Sequence, residues 1–425
     1  MKLEHPPSTT SDGLHLAKDL FDKRFGSFLS VADKRYWYWD EFKHRTDLPY
    51  KDARKAWSLV KLHRKQNSKD IYIGSYRFSY NITPEIHKNL HEFDLKLMGG
   101  LRENPISESD QRHYLTNSLQ EEAIASSQIE GAATTTQKAW EMLKQERQPK
   151  NESEQMIFNN QRAIKFIMEM HTEELTAELI IRLHSILTIK TTAEECSGDL
   201  RKTPVNVVDY IDGEVAHVAP EPDQVQRLIN DLCEFTNTEK EFVHPILKAS
   251  MLHFFIGFIH PFADGNGRTA RALFYWYMMK KEYSLIRHIS ISRAILDSRT
   301  QYDKAYLKTE YDDNDMTYFL MYSIKGLRVA FDSLVRFRDR KKQEHLTIES
   351  LTREFVKTDW NERQALALAE MQTKQNVRYS LSDYAEKFKI TRQTAATDLR
   401  GLVKRGGIIE QPQGRNKFYF LPKTR

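Results

Sequence analysis

Two of the most apolar segments of this 425-residue chain, VHPILKASMLHFFIGFI (Val243–Ile259) and ALFYWYMMKK (Ala272–Lys281), are separated only by HPFADGNGRTAR, His260 to Arg271. Both flanking segments are apolar on every side rather than along one stripe, so they read as helices buried in a core. The stretch between them carries a histidine, an acid, two glycines around an asparagine and two arginines. A polar loop held between two buried helices is not an ordinary surface connection.

The loop has the chemistry of an anion cradle. Gly265 and Gly267 free the backbone for positive φ and for close approach of a ligand, because neither carries a Cβ. A helix beginning at Arg268 presents amide groups without intrahelical partners and the positive end of its dipole, an arrangement suited to the oxygens of a di- or triphosphate. Asn266 is placed to orient one oxygen through its amide, and Arg268 and Arg271, three apart on one helical face, to grip phosphate. Asp264 beside them would be repelled by phosphate unless a cation lies between, and Mg²⁺ is the expected one. A neutral His260 at the end of the preceding helix can take a proton from an incoming hydroxyl.

Competing motifs fit less well. GNGRTA matches the dinucleotide fingerprint G-x-G-x-x-A, but no alternating strand and helix series surrounds it, and the nearest acid downstream, Asp297, is too far. The pattern G-x-x-x-x-G-K-[ST] is absent, and an EF-hand loop would need further carboxylates where Arg268 stands.

The length implies two or three domains. No apolar run is long enough for a membrane span, the N-terminus lacks the pattern of a secretory signal, and Cys196 and Cys233 are the only cysteines. These features lead us to expect a soluble cytoplasmic protein without membrane partners. Net charge is +5, yet residues 361–425 hold 13 Lys and Arg against 6 Asp and Glu, a net of +7 that leaves −2 for the rest. The basic character therefore belongs to the C-terminal segment and points to a polyanionic partner there.

Four regions follow along the chain. Residues 1–114 form an N-terminal helical region whose aromatic-rich stretch makes a small satellite core. Residues 115–345 are dominated by helices with apolar residues at spacings of three and four, interrupted by TPVNVVDYIDGEVAHVAP, Thr203–Pro220, which alternates about an Asp212-Gly213 turn as a β-hairpin does. Residues 346–360 are a linker. Residues 361–425 read as three helices followed by two short strands, a winged helix-turn-helix pattern. The fold class is predominantly α, with the short hairpin and a C-terminal winged-helix domain.

HPFADGNGRTAR resembles the signature of Fic domain proteins, H-x-F-x-[DE]-G-N-G-R-x-x-R, at every defined position, and the resemblance covers roughly Leu115 to Leu334. It implies a Fic-type helical core and an enzyme that transfers AMP from ATP to a hydroxyl side chain of a target protein or of itself, releasing pyrophosphate. Within it His260 resembles the general base, Phe262 the core anchor of the loop and Asp264 the Mg²⁺ ligand. Gly265, Asn266 and Gly267 resemble the anion hole, and Arg268 and Arg271 the groups on the distal phosphates. The hairpin, with Thr203, Val205, Val207 and His217, sits where the family has a flap that holds the target chain by strand addition. Tyr302, in SRTQYDKAYL, is the candidate near the base.

Upstream, SSQIEG resembles the family's inhibitory pattern [ST]-x-x-x-E-[GN], with Ser126, Glu130 and Gly131 at the defined positions. It implies that Glu130 pairs with Arg271 and holds the enzyme in check. In the last domain, Arg392, Gln393, Thr394 and Thr397 lie near the start of the third helix, suited to phosphate and base-edge contacts, and Arg415 and Lys417 lie in the wing. The reading is thus an ATP- and Mg²⁺-dependent protein adenylyltransferase, with DNA as a further partner and a homo-oligomer possible. Removal of AMP, transfer of another nucleotide, and a DNA-binding regulator that only senses nucleotide are the alternatives.

Overall fold

The computed structural model describes residues 3–8, 13–98, 108–208, 213–374, 377–413 and 416–422. Its described residues divide into two compact units, one from the N-terminus to Ser333 and one from Leu334 onward.

The first unit opens with α1 (Gly13–Leu20), α2 (Lys23–Arg35), α3 (Trp39–Phe42) and α4 (Ala53–Asn67). Asp22 and Asp52 start α2 and α4 by accepting from the amides of Arg24 and Arg54, satisfying donors that the first helical turn leaves open. Trp37, Tyr38, Trp39, Phe42 and Trp57 make the aromatic cluster expected here, and Tyr318, far along the chain, completes it. A hairpin that the sequence reading did not include follows, β1 (Lys69–Ile73) and β2 (Tyr76–Tyr80), turning at Gly74 with φ +58°. It buries Ile71, Ile73, Phe78 and Tyr80 on one face, and the Phe78 ring meets Phe254, Phe255 and Phe258 edge-on at 5.1–5.8 Å. The N-terminal region is therefore packed into the same unit as the central helices and is not a separate body, a correction to the boundary placed at residue 114.

Next come α5 (Pro84–Phe93), α6 (Glu108–Ile129), α7 (Thr136–Lys144), α8 (Glu152–Met170) and α9 (Ala177–Thr188). The second hairpin, β3 (Asn206–Val208) and β4 (Val215–Val218), pairs antiparallel with a shift of register after Val207. Asp212 of the expected turn lies outside the described residues; Gly213 has φ +72°. After α10 (Pro222–Asn237), the centre of the unit is α11 (Pro245–Ile259) against α12 (Asn266–Lys280), with α6, α8 and α9 packed around them. Of α11, only Gly257 and Pro245 are not fully buried, as its unbroken apolar surface requires. The unit closes with α13 (Ile291–Leu296), α14 (Arg299–Tyr311) and the first part of α15 (Thr317–Val356). No helix among the described residues is long and apolar enough to cross a membrane.

In the second unit, residues 346–356, expected in a linker, are helical as the end of α15. They are followed by α16 (Glu362–Thr373), β5 (Tyr379–Ser380), α17 (Leu381–Lys387), α18 (Arg392–Lys404), β6 (Ile409–Gln413) and β7 (Asn416–Phe420), with the strands ordered β5-β7-β6, all antiparallel. Reciprocal capping boxes, Asn361 with Gln364 and Ser380 with Asp383, fix the starts of α16 and α17. Leu368, Tyr384, Leu399, Leu402 and Ile408 are the centre of its core.

Candidate active site

The polar loop sits where α11 stops and α12 begins. His260 ends α11 in the left-handed region, φ 48° and ψ 57°, with its amide donating to the Ile256 carbonyl at 3.0 Å. A non-glycine residue there costs of order 1 kcal/mol or more, so the surrounding contacts must hold it. Its ring Nδ1 lies 3.2 Å from the Gly257 carbonyl. Burial pulls the imidazole below its ordinary 6.5 against the opposing pull of that carbonyl, and His217 and Arg201 lower it further. At neutral pH the ring is uncharged and able to accept a proton.

Phe262 is fully buried and its ring lies flat on His184, with centroids 3.7 Å apart and planes 2° from parallel. Asn266 closes the loop, accepting from the Phe262 amide at 2.9 Å and donating to the Phe262 carbonyl at 2.8 Å. The side chain thus shapes the loop, with one of its two amide N–H donors used in doing so. Gly265, φ +83°, caps α12, so the helix begins at Asn266, two residues earlier than expected. The open amides of its first turn line the cradle.

Arg268 and Arg271 are both buried, 1% and 3% exposed. Arg268 donates to Asp264 Oδ2 at 2.8 Å and to the Leu187 carbonyl at 3.3 Å, while its Nε has no partner. Arg271 donates through Nε to Ser126 Oγ at 3.0 Å, and through Nη2 to the Ser126 carbonyl and to Glu130 Oε1, both at 2.9 Å; its Nη1 has no partner. A buried guanidinium nitrogen left unpaired is costly, and the first turns of α12 carry two of them.

The structure thus brings Glu130 to Arg271 across 141 positions of sequence. Contact is through one oxygen to Nη2, which Ser126 shares, while Ser126 also holds Nε. The Glu130 side chain is 26% exposed. Burial raises its carboxyl, but Arg271, Arg268 and Arg299 outweigh that and hold it below the usual glutamate range. Glu130 Oε1 also lies against Gly267: a Cβ at 267 would come within 2.2 Å of it. A carboxylate of the chain itself therefore fills the anion cradle. Gly131 follows with φ +93°, the left-handed turn that ends α6.

Residues 174–278 match the Fic/DOC family. The chain carries a Fic domain. It is 37% identical over 87 residues to a protein adenylyltransferase Fic of Aedes aegypti, covering 20% of this chain and 16% of that one. Over 122 residues it is 32% identical to the protein of the same name in Nematostella vectensis, covering 28% and 27%. The matched segment is thus under a third of each relative. Among solved structures, a Fic family protein of Desulfovibrio desulfuricans G20 superposes with a TM-score of 0.55 at 21% identity, covering 81% of this chain and 98% of that one. Fic-1 of Caenorhabditis elegans gives 0.51 at 17%, covering 78% and 90%.

The Fic domain rests on residues that the sequence reading did not single out. His184 donates from Nε2 to the Asp264 carbonyl at 2.8 Å and accepts at Nδ1 from the Gly198 amide at 3.1 Å. The amide fixes the tautomer, and burial lowers this imidazole to about 4. Glu122, on α6, accepts from Tyr275, from Ser290 and from the amide and hydroxyl of Ser292, pinning the helix whose end leads into Glu130. Arg299 donates to the Ile129 carbonyl at 2.6 Å and caps the same helix at its end.

Two other candidate residues are buried. His217 lies in β4 of the flap hairpin. It is buried, with Nδ1 2.6 Å from Glu310 Oε2 and Nε2 2.7 Å from the Phe258 carbonyl. Both partners are acceptors, so both nitrogens donate; burial lowers its pKa, but Glu310 raises it to a net value above the ordinary one. Tyr302 is buried among Tyr306, Phe319 and Tyr322, bonded to His253 Nε2 at 2.9 Å, and so belongs to the aromatic core. Thr203 is exposed, and Val205 and Val207 are half-buried. Among the described residues of the hairpin, the exposed apolar side chains are Val208, Val215 and Val218.

Proposed function

We propose that this protein transfers AMP from ATP to a side-chain hydroxyl of a protein, itself included, and that Glu130 restrains the reaction. The observation that carries this is the cradle: two buried arginines with unpaired nitrogens and a helix start follow a neutral His260 in one loop, and the chain's own carboxylate lies on Arg271 and over Gly267. The relatives named protein adenylyltransferase support the same reading. The hydroxyl oxygen attacks the α-phosphorus, the bond to the β-phosphate breaks, pyrophosphate leaves, and His260 takes the hydroxyl proton. The open edge of the flap, with Val208, Val215 and Val218 exposed, supports docking of an extended segment over the site. The test is incubation with ATP labelled at the α-phosphate: protein-bound label supports the reading, and label that stays in free nucleotide even after Glu130 is replaced overturns it.

Mg²⁺ fits the residues present. Asp264 is a single carboxylate, 54% exposed, at the edge of the cradle, and no group of three or more His, Cys, Asp or Glu that could hold a metal exists among the described residues. That donor set suits an ion held mainly by phosphate oxygens and water. Bound there, Mg²⁺ would neutralise charge on the phosphates. Replacing Asp264 with Ala should raise the Mg²⁺ concentration needed for half-maximal transfer severalfold; an unchanged requirement at saturating ATP would remove Asp264 as the ligand.

For the second unit we propose DNA binding through a winged helix. α18 followed by the β6–β7 hairpin supports it, with Arg392, Gln393 and Arg400 exposed. Thr394 and Thr397 contribute less than expected, since their hydroxyls bond Thr391 and the Gln393 carbonyl. Lys417 pairs with Glu410 at 2.9 Å, and Arg415 lies outside the described residues. Replacing Arg392 and Arg415 with Ala should weaken DNA retention and reduce its salt slope by up to about two, as fewer counterions are released. Full-length protein without salt-sensitive binding would make the unit a protein contact.

A further inference from the structure

Arg201 lies between the flap hairpin and the catalytic loop, and it is buried. Its guanidinium reaches four backbone carbonyls: Nε donates to His260 at 2.7 Å, Nη1 to Thr203 at 3.0 Å, and Nη2 to Ile259 at 3.3 Å and to Pro220. Its own amide donates to the Pro261 carbonyl at 2.9 Å. Thr203 and Pro220 are the two ends of the hairpin segment; Ile259, His260 and Pro261 are the turn that carries the base. One side chain therefore ties both feet of the flap to the residue that takes the proton.

We propose that Arg201 is a positioning residue that fixes the flap and His260 in one register, so that a hydroxyl presented on the hairpin edge meets the imidazole. The proposal rests on the adenylyl-transfer reading for its consequence, though not for its geometry. Four carbonyls at separate directions need the planar fork of arginine; a lysine ammonium has three donors on one atom and cannot span them. The contact to the His260 carbonyl also helps hold that residue in its left-handed conformation. None of these bonds goes to Arg268, Arg271 or the first turn of α12, so nucleotide binding should depend on it little.

The test uses full-length protein with Glu130 replaced by Gly, comparing Arg201 with Arg201→Lys and Arg201→Met. Both should bind ATP within about twofold of the parent while self-modification falls by about 10-fold or more, a loss of alignment rather than of affinity. Amide exchange at Val205–Val208 and Val215–Val218 should speed up in both. The charged groups facing His260 are Arg201, His217 on the flap and Glu130 in the turn after α6; with Glu130 removed and His217 unchanged, Arg201→Met should move the His260 titration, followed by NMR, to higher pH, and Arg201→Lys much less. Unchanged flap exchange and an unchanged His260 titration in both variants would overturn the proposal, as would equal losses of ATP affinity and transfer. If the parent transfers no AMP while exchange and titration respond as stated, the adenylyl-transfer reading fails and the clamp stands.

Discussion

Glu130→Gly should raise AMP transfer, onto the protein itself and onto other proteins, by about 10²-fold or more over the unchanged chain. The carboxylate sits 2.9 Å from Arg271 Nη2 and closes the space over Gly267, so ATP reaching this cradle cannot place its distal phosphate on Arg271. A triphosphate displaced by about an ångström can forfeit 10²-fold in rate, because the α-phosphorus no longer faces the hydroxyl in line. Removing the side chain frees both Arg271 and the cradle, while Glu122 and Arg299 still hold α6. Arg271→Ala should be inactive with or without the Glu130 change. Since Arg271, Arg268 and Arg299 keep the Glu130 carboxyl below its ordinary range, the restraint is fully present above that range and lost only as pH falls through the lowered value. Across neutral pH it should therefore not vary. A folded Glu130→Gly protein that binds ATP and labels nothing above the level of the unchanged chain would refute the inhibitory role.

His260→Ala, made in that activated protein, should lower transfer by about 10²- to 10⁴-fold, the usual range for a general base, with ATP affinity retained. The division follows from the geometry: the cradle is built from Arg268, Arg271 and the first turn of α12, and the His260 ring contacts none of them. Because burial lowers the imidazole below 6.5, the base form predominates above that pH. The rate should be level through neutrality and fall only on the acid side. Parallel loss of ATP binding, or an acid limb above pH 6.5, would assign His260 a different task.

Much of the site was legible because it is local in sequence. HPFADGNGRTAR places a turn, a helix start and its charges within twelve residues, and short-range backbone chemistry decides such a segment. Helix starts in the second unit were legible for the same reason, since Asn361 and Ser380 cap within three residues. The β1–β2 hairpin carried its signal too, DIYIGSYRFSY alternating about Gly74-Ser75, but the density of aromatic residues around it favoured reading one helical cluster.

Other features could not be read there, because their partners are distant in sequence and polar. Arg201, His184 and Glu122 are ordinary residues until folding sets them against carbonyls and hydroxyls 59, 80 and 153 or more positions away. His217 and Tyr302 look like surface and binding residues by type, yet packing buries both, one with Glu310 and the other in the aromatic core. The sequence by itself determined the anion-binding loop, the two helices that bury it and the existence of a candidate carboxylate at Glu130. Only the tertiary structure decided that this carboxylate fills the cradle and that Asn266 holds the loop, because a buried charge settles wherever the fold brings it a counter-charge and a buried amide wherever it finds donors and acceptors.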